Sequence, residues 1–178
     1  MKRILASVVI GICLTSLVQA GEFYSAPSKA PVYSKAPVYD PVCFQAGETY
    51  FDAISVYVDP SAGHYDDGAG GGIALGHYYT ERIGVEGRAY WFDGGDAAIH
   101  NVDISLLYRV PLQDLCIAPF AKVGVGGHFN SENYVGGNVG GGLEYRLNQR
   151  FGIVGGYEFN YSSDEEWHLY SLGLRFTF

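Results

Sequence analysis

Nine ionisable residues stand at alternating positions inside otherwise apolar segments: Glu86, Arg88, Asp103, Arg109, Lys122, Glu144, Arg146, Glu158 and Arg175. Four are acids and five are bases, so a shared compartment would let carboxylates and cationic heads neutralise one another. Two chemistries suit such a set. One is a gated ion path lined by opposed charges. The other is a salt-bridged plug that fills a narrow lumen. A charge facing the centre of a bilayer costs about 2 to 4 kcal/mol, so nine charges of one parity point to an enclosed polar interior. Eight strands leave an interior just wide enough for side chains, which favours the plug.

Other residues offer chemistry on paper. His128, Ser131 and Glu132 are the types of a base, a nucleophile and an orienting acid. His128 shares the inward parity while Ser131 sits in a connection, so the trio reads as an ordinary polar loop and no catalytic residue is assigned. His64 with Asp66 and Asp67 supplies too few ligands for a cation site, and no metal is assigned. The glycine runs at 70–72, 126–127, 136–137 and 140–142 lack a following Lys-Ser/Thr and any Gly-x-Gly-x-x-Gly, so no nucleotide or other cofactor is assigned. Their role is to leave room for long interior side chains. Without Lys2 and Arg3 the chain holds nine bases and 19 acids, a formal charge of −10 that argues against nucleic acid as a partner.

The elements that must position these charges are strands. Beyond residue 48 no 3.6-residue apolar period is sustained, whereas alternation recurs in segments of about ten residues, each followed by turn residues. The segments fall near 49–59, 68–79, 83–93, 99–110, 117–129, 134–146, 151–161 and 167–178, predicting an all-β, eight-stranded antiparallel up-and-down transmembrane β-barrel. In the last one Tyr170, Leu172, Leu174, Phe176 and Phe178 take one face, and Ser171, Gly173, Arg175 and Thr177 the other. If the first set meets lipid, Val102, Ile104, Leu106, Tyr108, Val139, Leu143 and Ile153 join it. The first strand is ambiguous: Asp52 prefers the interior, yet Ile54, Val56 and Val58 share its parity.

Ahead of the barrel, Lys2 and Arg3, an apolar stretch and Val18-Gln19-Ala20 read as a signal peptide over 1–20, cleaved before Gly21. Residues 21–47 carry four of the seven prolines and a tandem Ser-Lys-Ala-Pro-Val-Tyr repeat at 28–33 and 34–39. That composition predicts an extended tether outside any core. Cys43 and Cys116 have no neighbouring Cys or His, so in an oxidising compartment a disulfide is favoured over a metal site or a catalytic thiol. Both precede strands that start at the same end of the barrel.

The opening Tyr50-Phe51-Asp52, the segment Ile83-Gly84-Val85-Glu86-Gly87, the strand start Ala118-Pro119-Phe120 and the alternating aromatic ending at Phe178 resemble the small outer-membrane barrels of the OmpA-like and opacity-type surface antigen group. The resemblance covers 48–178. It implies a Gram-negative outer membrane, contact with its lipid and lipopolysaccharide, and a monomer. It also implies handling by the outer-membrane assembly machinery, with Phe176 and Phe178 as its C-terminal signal. Such proteins serve integrity, adhesion or surface-antigen roles, including binding of a host or cell-surface ligand, and seldom catalysis. A small ion channel is the alternative, ahead of a lipid A-modifying enzyme built on His128, Ser131 and Glu132. No peptidoglycan-binding domain follows the barrel, so anchoring to the cell wall is not implied. Short turns belong to the periplasmic side. The four opposite connections hold Asp59, Asp66, Asp67, Asp93, Asp96, Glu132, Asp164, Glu165 and Glu166 and no Lys or Arg.

If Phe178 is a recognition element, its deletion is expected to lower the amount of assembled protein in the outer-membrane fraction while sparing refolding of purified chain in detergent. Parent levels of the truncated protein at the cell surface would count against it.

Overall fold

The computed structural model describes residues 42–62, 66–95, 98–129, 133–162 and 166–178. The expected signal peptide and the tether up to residue 41 lie outside the described residues, as do His64, Asp96, Ser131, Glu132, Asp164 and Glu165. Eight strands follow one another: β1 Thr49–Ala62, β2 Gly68–Tyr78, β3 Ile83–Asp93, β4 Ala98–Arg109, β5 Ile117–Phe129, β6 Asn133–Arg146, β7 Phe151–Tyr161 and β8 Glu166–Thr177. Each pairs antiparallel with the next, and β8 returns to β1, closing a barrel in chain order. Closure satisfies the backbone of both would-be edge strands, which a bilayer demands.

The register fixes the size of the lumen. From Phe51 it runs through Leu75, Gly87, Ile104, Val125 and Gly137 to Tyr161. In the other direction it runs through Phe176 to Phe151, so one circuit climbs ten residues along β7. With ~3.3 Å per residue and ~4.8 Å between strands, eight strands and that stagger give a tilt of about 40° and a radius of about 8 Å. Opposing interior side chains therefore meet near the axis.

Alternation is strictest in β4, where each second residue from Ile99 to Arg109 is buried and those between are exposed. Strand one, ambiguous in sequence, turns Asp52, Val56 and Val58 inward. No conflict exists because the lumen is layered. Val56 and Val58 join Tyr90, Phe92, Ile99, Trp167 and Leu169 in an apolar cluster, while Asp52 lies opposite Arg175. β1 also runs three residues past its expected end, with a register irregularity between Pro60 and Ala62, where a residue lacking an N–H is tolerated. Small residues make space for large ones: a Cβ at Gly76 would stand 2.1 Å from Cζ of Tyr50.

At the end holding the short turns, the chain before β1 departs from the tether expected through residue 47. Cys43 and Phe44 are buried, Phe44 completely. Gln113, in the short 3-10 turn Gln113–Leu115 between β4 and β5, accepts hydrogen bonds at Oε1 from Cys43 N (3.0 Å) and Phe44 N (3.1 Å) and donates from Nε2 to Phe44 O (2.8 Å). Cys43 is disulfide-bonded to Cys116, with Cα atoms 5.4 Å apart. β1 and β5 are four strands apart in a ring of eight, so residues 43–48 form a strap across the mouth. Proline-rich composition gave no sign of it, because two buried residues, Cys43 and Phe44, suffice to hold a short strap.

The bond closes a separation of 73 residues, worth roughly 4 kcal/mol in the chain-entropy model. Replacing both cysteines by serine should lower the unfolding free energy of the refolded barrel by up to that amount, read as a lower urea midpoint, while leaving its gel heat-shift intact. An unchanged midpoint would refute the contribution.

Candidate functional site

The nine interior charges foreseen in the sequence come together with two more in one chain of contacts. At the strapped end, Glu48 accepts from Arg109 (2.8 Å) and Arg146 (3.1 Å). Arg109 also donates to Glu81 O at 2.7 Å and lies over the Tyr78 ring at 3.6 Å, with Phe44 at 4.9 Å. Arg146 pairs with Glu144 and donates to the Thr177 hydroxyl. Glu144 then receives Arg175 at 2.7 Å.

Arg175 is the hub. Its Nε and Nη2 bind the two Asp52 oxygens at 2.8 and 2.6 Å, Nη2 stands 3.6 Å from Glu86, and the guanidinium covers the Tyr50 ring at 3.5 Å. Tyr50 donates its hydroxyl proton to Glu86 at 2.7 Å. Lys122 links Glu86 (3.3 Å) to Glu158 (2.7 Å). Arg88 binds Glu158 through both terminal nitrogens and Asp103 Oδ2 through Nε (3.0 Å) and Nη2 (2.8 Å). The column thus runs unbroken from Glu48 to Asp103.

Every strand except β2 supplies a charge; β2 turns Gly72, Ala74, Gly76 and Tyr78 inward and so yields space. The balance becomes six carboxylates, with Asp52 and Glu48 added, against five cations. Sequence parity missed Asp52 because its strand-mates are apolar, and Glu48 because it precedes the first strand. The signal available was electrostatic: Arg109 and Arg146 end their strands at one rim with too few acids on the strands themselves. Burying so many charges is costly, and the pairs offset the cost only together, since removing one partner of a buried pair typically costs about 3 to 5 kcal/mol.

The remaining candidates stay apart from this column. His128 is buried, its Nδ1 2.6 Å from Asn101 Oδ1 and its ring 5.2 Å from that of Trp167. Asp67 accepts the Tyr57 hydroxyl proton at 2.6 Å. No cluster of three or more His, Cys, Asp or Glu suited to a metal occurs among the described residues. Phe176 packs edge-on against Phe151 at 5.1 Å, and Phe178, three-quarters exposed, exchanges backbone hydrogen bonds with Thr49 at the β1–β8 seam.

The fold is shared with solved outer-membrane barrels. The N-terminal barrel domain of Pseudomonas aeruginosa OprF superposes with a TM-score of 0.59 at 17% identity, covering 75% of this chain and 99% of that one. Neisserial surface protein A gives 0.56 at 17% identity, covering 74% and 96%. Ail, the attachment invasion locus protein of Yersinia pestis, gives 0.54 at 15% identity, covering 75% and 99%, and has also been solved with the heparin analogue sucrose octasulfate. No curated protein matches the chain. Residues 31–178 match the description of the outer membrane protein beta-barrel domain, and with eight closed strands around a polar lumen the chain belongs to that family of Gram-negative outer-membrane barrels.

Proposed function

We propose that this barrel is a non-enzymatic outer-membrane protein with a structural, adhesive or surface-antigen role, whose lumen is a plug and not a conduit. The observation that carries the reading is the unbroken ion-pair column, capped by Phe44 at one end and by the apolar cluster of Val56, Val58, Phe92, Ile99, Trp167 and Leu169 at the other. The reading includes cleavage after Ala20 and a tether up to the strap, supported by sequence pattern, and a monomeric barrel with Phe178 as assembly signal, supported by the family resemblance. What remains for partners is the outer end. There, among the described residues, Asp59, Asp66, Asp67, Asp93 and Glu166 are exposed. Lipopolysaccharide would meet this rim through divalent ions shared with its phosphates, and a host or cell-surface ligand would have to be cationic. A sulfated polyanion of the kind solved with Ail would be repelled.

A small channel is the second reading, favoured by the mixture of both charge signs along the column from Glu48 to Asp103. Planar-bilayer recording separates the two. The plug predicts no unitary conductance in the parent, whereas steps that change with Lys122→Ala would establish the channel. Replacing Arg175 by Met leaves Asp52, Glu86 and Glu144 short of their shared cation, and urea unfolding should show a loss of about 3 to 5 kcal/mol; a loss below about 1 kcal/mol would mean the hub is dispensable.

Neutralising Asp66, Asp67, Asp164, Glu165 and Glu166 to amides should weaken binding of cationic ligands and calcium at low salt. Raising the salt should mimic this, because exposed charges are screened within about 8 to 10 Å. Equal binding by parent and variant at low salt would make the rim a solvated surface only.

A further inference from the structure

One turn at the strapped mouth carries two unlike fastenings. Gln113, its first residue, grips Cys43 and Phe44 through three side-chain hydrogen bonds. Cys116, three residues on, holds the same strap through sulfur. Among the described residues Cys116 is also the only one other than glycine with a positive φ, at 52° with ψ 35°. That left-handed conformation crowds Cβ against the backbone, which is why glycine or asparagine usually occupies it. The Cys116 N–H donates to Gln113 O at 3.2 Å, so the shape of residue 116 helps set where the Gln113 side chain starts.

The strap divides at Gln45. Its N–H donates to Glu48 Oε1 at 2.8 Å, its carbonyl accepts from Arg109 at 3.2 Å, and Tyr78 N donates to Glu48 O at 2.8 Å. Residues 45–48 are thus tied to β2 and β4 whatever the sulfurs do. Cys43 and Phe44 are fastened by the turn instead. Phe44 fills the mouth beside Ala118, its ring 4.9 Å from the Arg109 guanidinium and 5.4 Å from that of Arg146.

We propose that this disulfide is a redox latch: its reduction by a dithiol lets residue 116 leave the left-handed conformation, slackens the Gln113 clasp and frees Phe44 from the mouth. Cys43 is buried whereas Cys116 is partly exposed, so the entering thiolate attacks Cys116 Sγ and Cys43 leaves as the thiolate. The second thiol of the reductant then displaces Cys116 from the mixed disulfide. The barrel gains two electrons and two protons as two thiols, and the dithiol becomes a disulfide. In the latched form Phe44 covers Arg109 and Arg146. In the released form both guanidiniums meet water, so the cap on the ion-pair column depends on the state of the sulfurs. The latch works at the strap alone, whether the lumen conducts or is sealed.

The test is hydrogen–deuterium exchange, read by mass spectrometry on the full protein refolded in detergent micelles, before and after dithiothreitol, with alkylation counting free thiols. After reduction, peptides covering 42–46 and 112–117 should exchange at least tenfold faster, with β8 unchanged. Exchange equal to that of the oxidised protein, with both thiols counted as free, would make the bond a tie and not a latch. A bond left intact in the folded barrel by a large excess of dithiothreitol would overturn the proposal as well. Cys43→Ser with Cys116→Ser should exchange like the reduced parent and ignore dithiothreitol. Cys43→Ser with Cys116→Gly, where glycine accepts the left-handed backbone, should exchange several-fold more slowly than the serine pair. Equal exchange by the two variants would overturn the coupling between residue 116 and the clasp. The parent comparison decides the matter even if neither variant folds.

Discussion

The bond between Arg175 and Asp52 spans the seam where the last strand meets the first. Closure of that seam is what removes the two open edges, and a barrel with open edges has no place in hydrocarbon. The two residues are direct register partners, so a slip by one position would turn Arg175 toward lipid and strand Asp52 inside. Through Glu144 and Glu86 the same guanidinium reaches β6 and β3, tying the seam to both flanking walls. Ion pairing here selects one register among many that backbone hydrogen bonding alone would accept.

The narrow radius explains the layering of the lumen. An interior this thin holds side chains from opposing walls in direct contact, so each level must be solved as a small core. Aromatic rings and guanidiniums share the strapped end, with Arg109 over Tyr78 and Arg175 over Tyr50. Paired charges fill the middle, and the outer level divides into an apolar half and an amide-lined half. The glycines of β5 and β6 and the small residues of β2 are the geometric counterpart of the long side chains facing them.

Much of this was legible in the residues. Alternation placed all eight strands and the inward set from Glu86 to Arg175, because a period of two is dictated by strand geometry and enforced by lipid on one side. Strand one resisted because its inward positions, Asp52 through Val58, cross from the charged level into the apolar level. A reading that expects one polarity per face fails where the face changes polarity along its length. The strap resisted for a different reason: Cys43, Phe44 and Glu48 have no periodicity to betray them, and their partners Gln113, Arg109 and Arg146 are remote in sequence.

The strap also sets a path for force. Any pull on the chain ahead of Val42 arrives first at Cys43, and from there passes through the disulfide to Cys116, at the foot of β5 on the opposite wall. Strand one, whose pairing with β8 is the seam, lies downstream of that junction and is shielded from peeling. Load applied at the N-terminal side is thereby spread across the diameter of the barrel, so the joint most exposed to unzipping is the one that bears least.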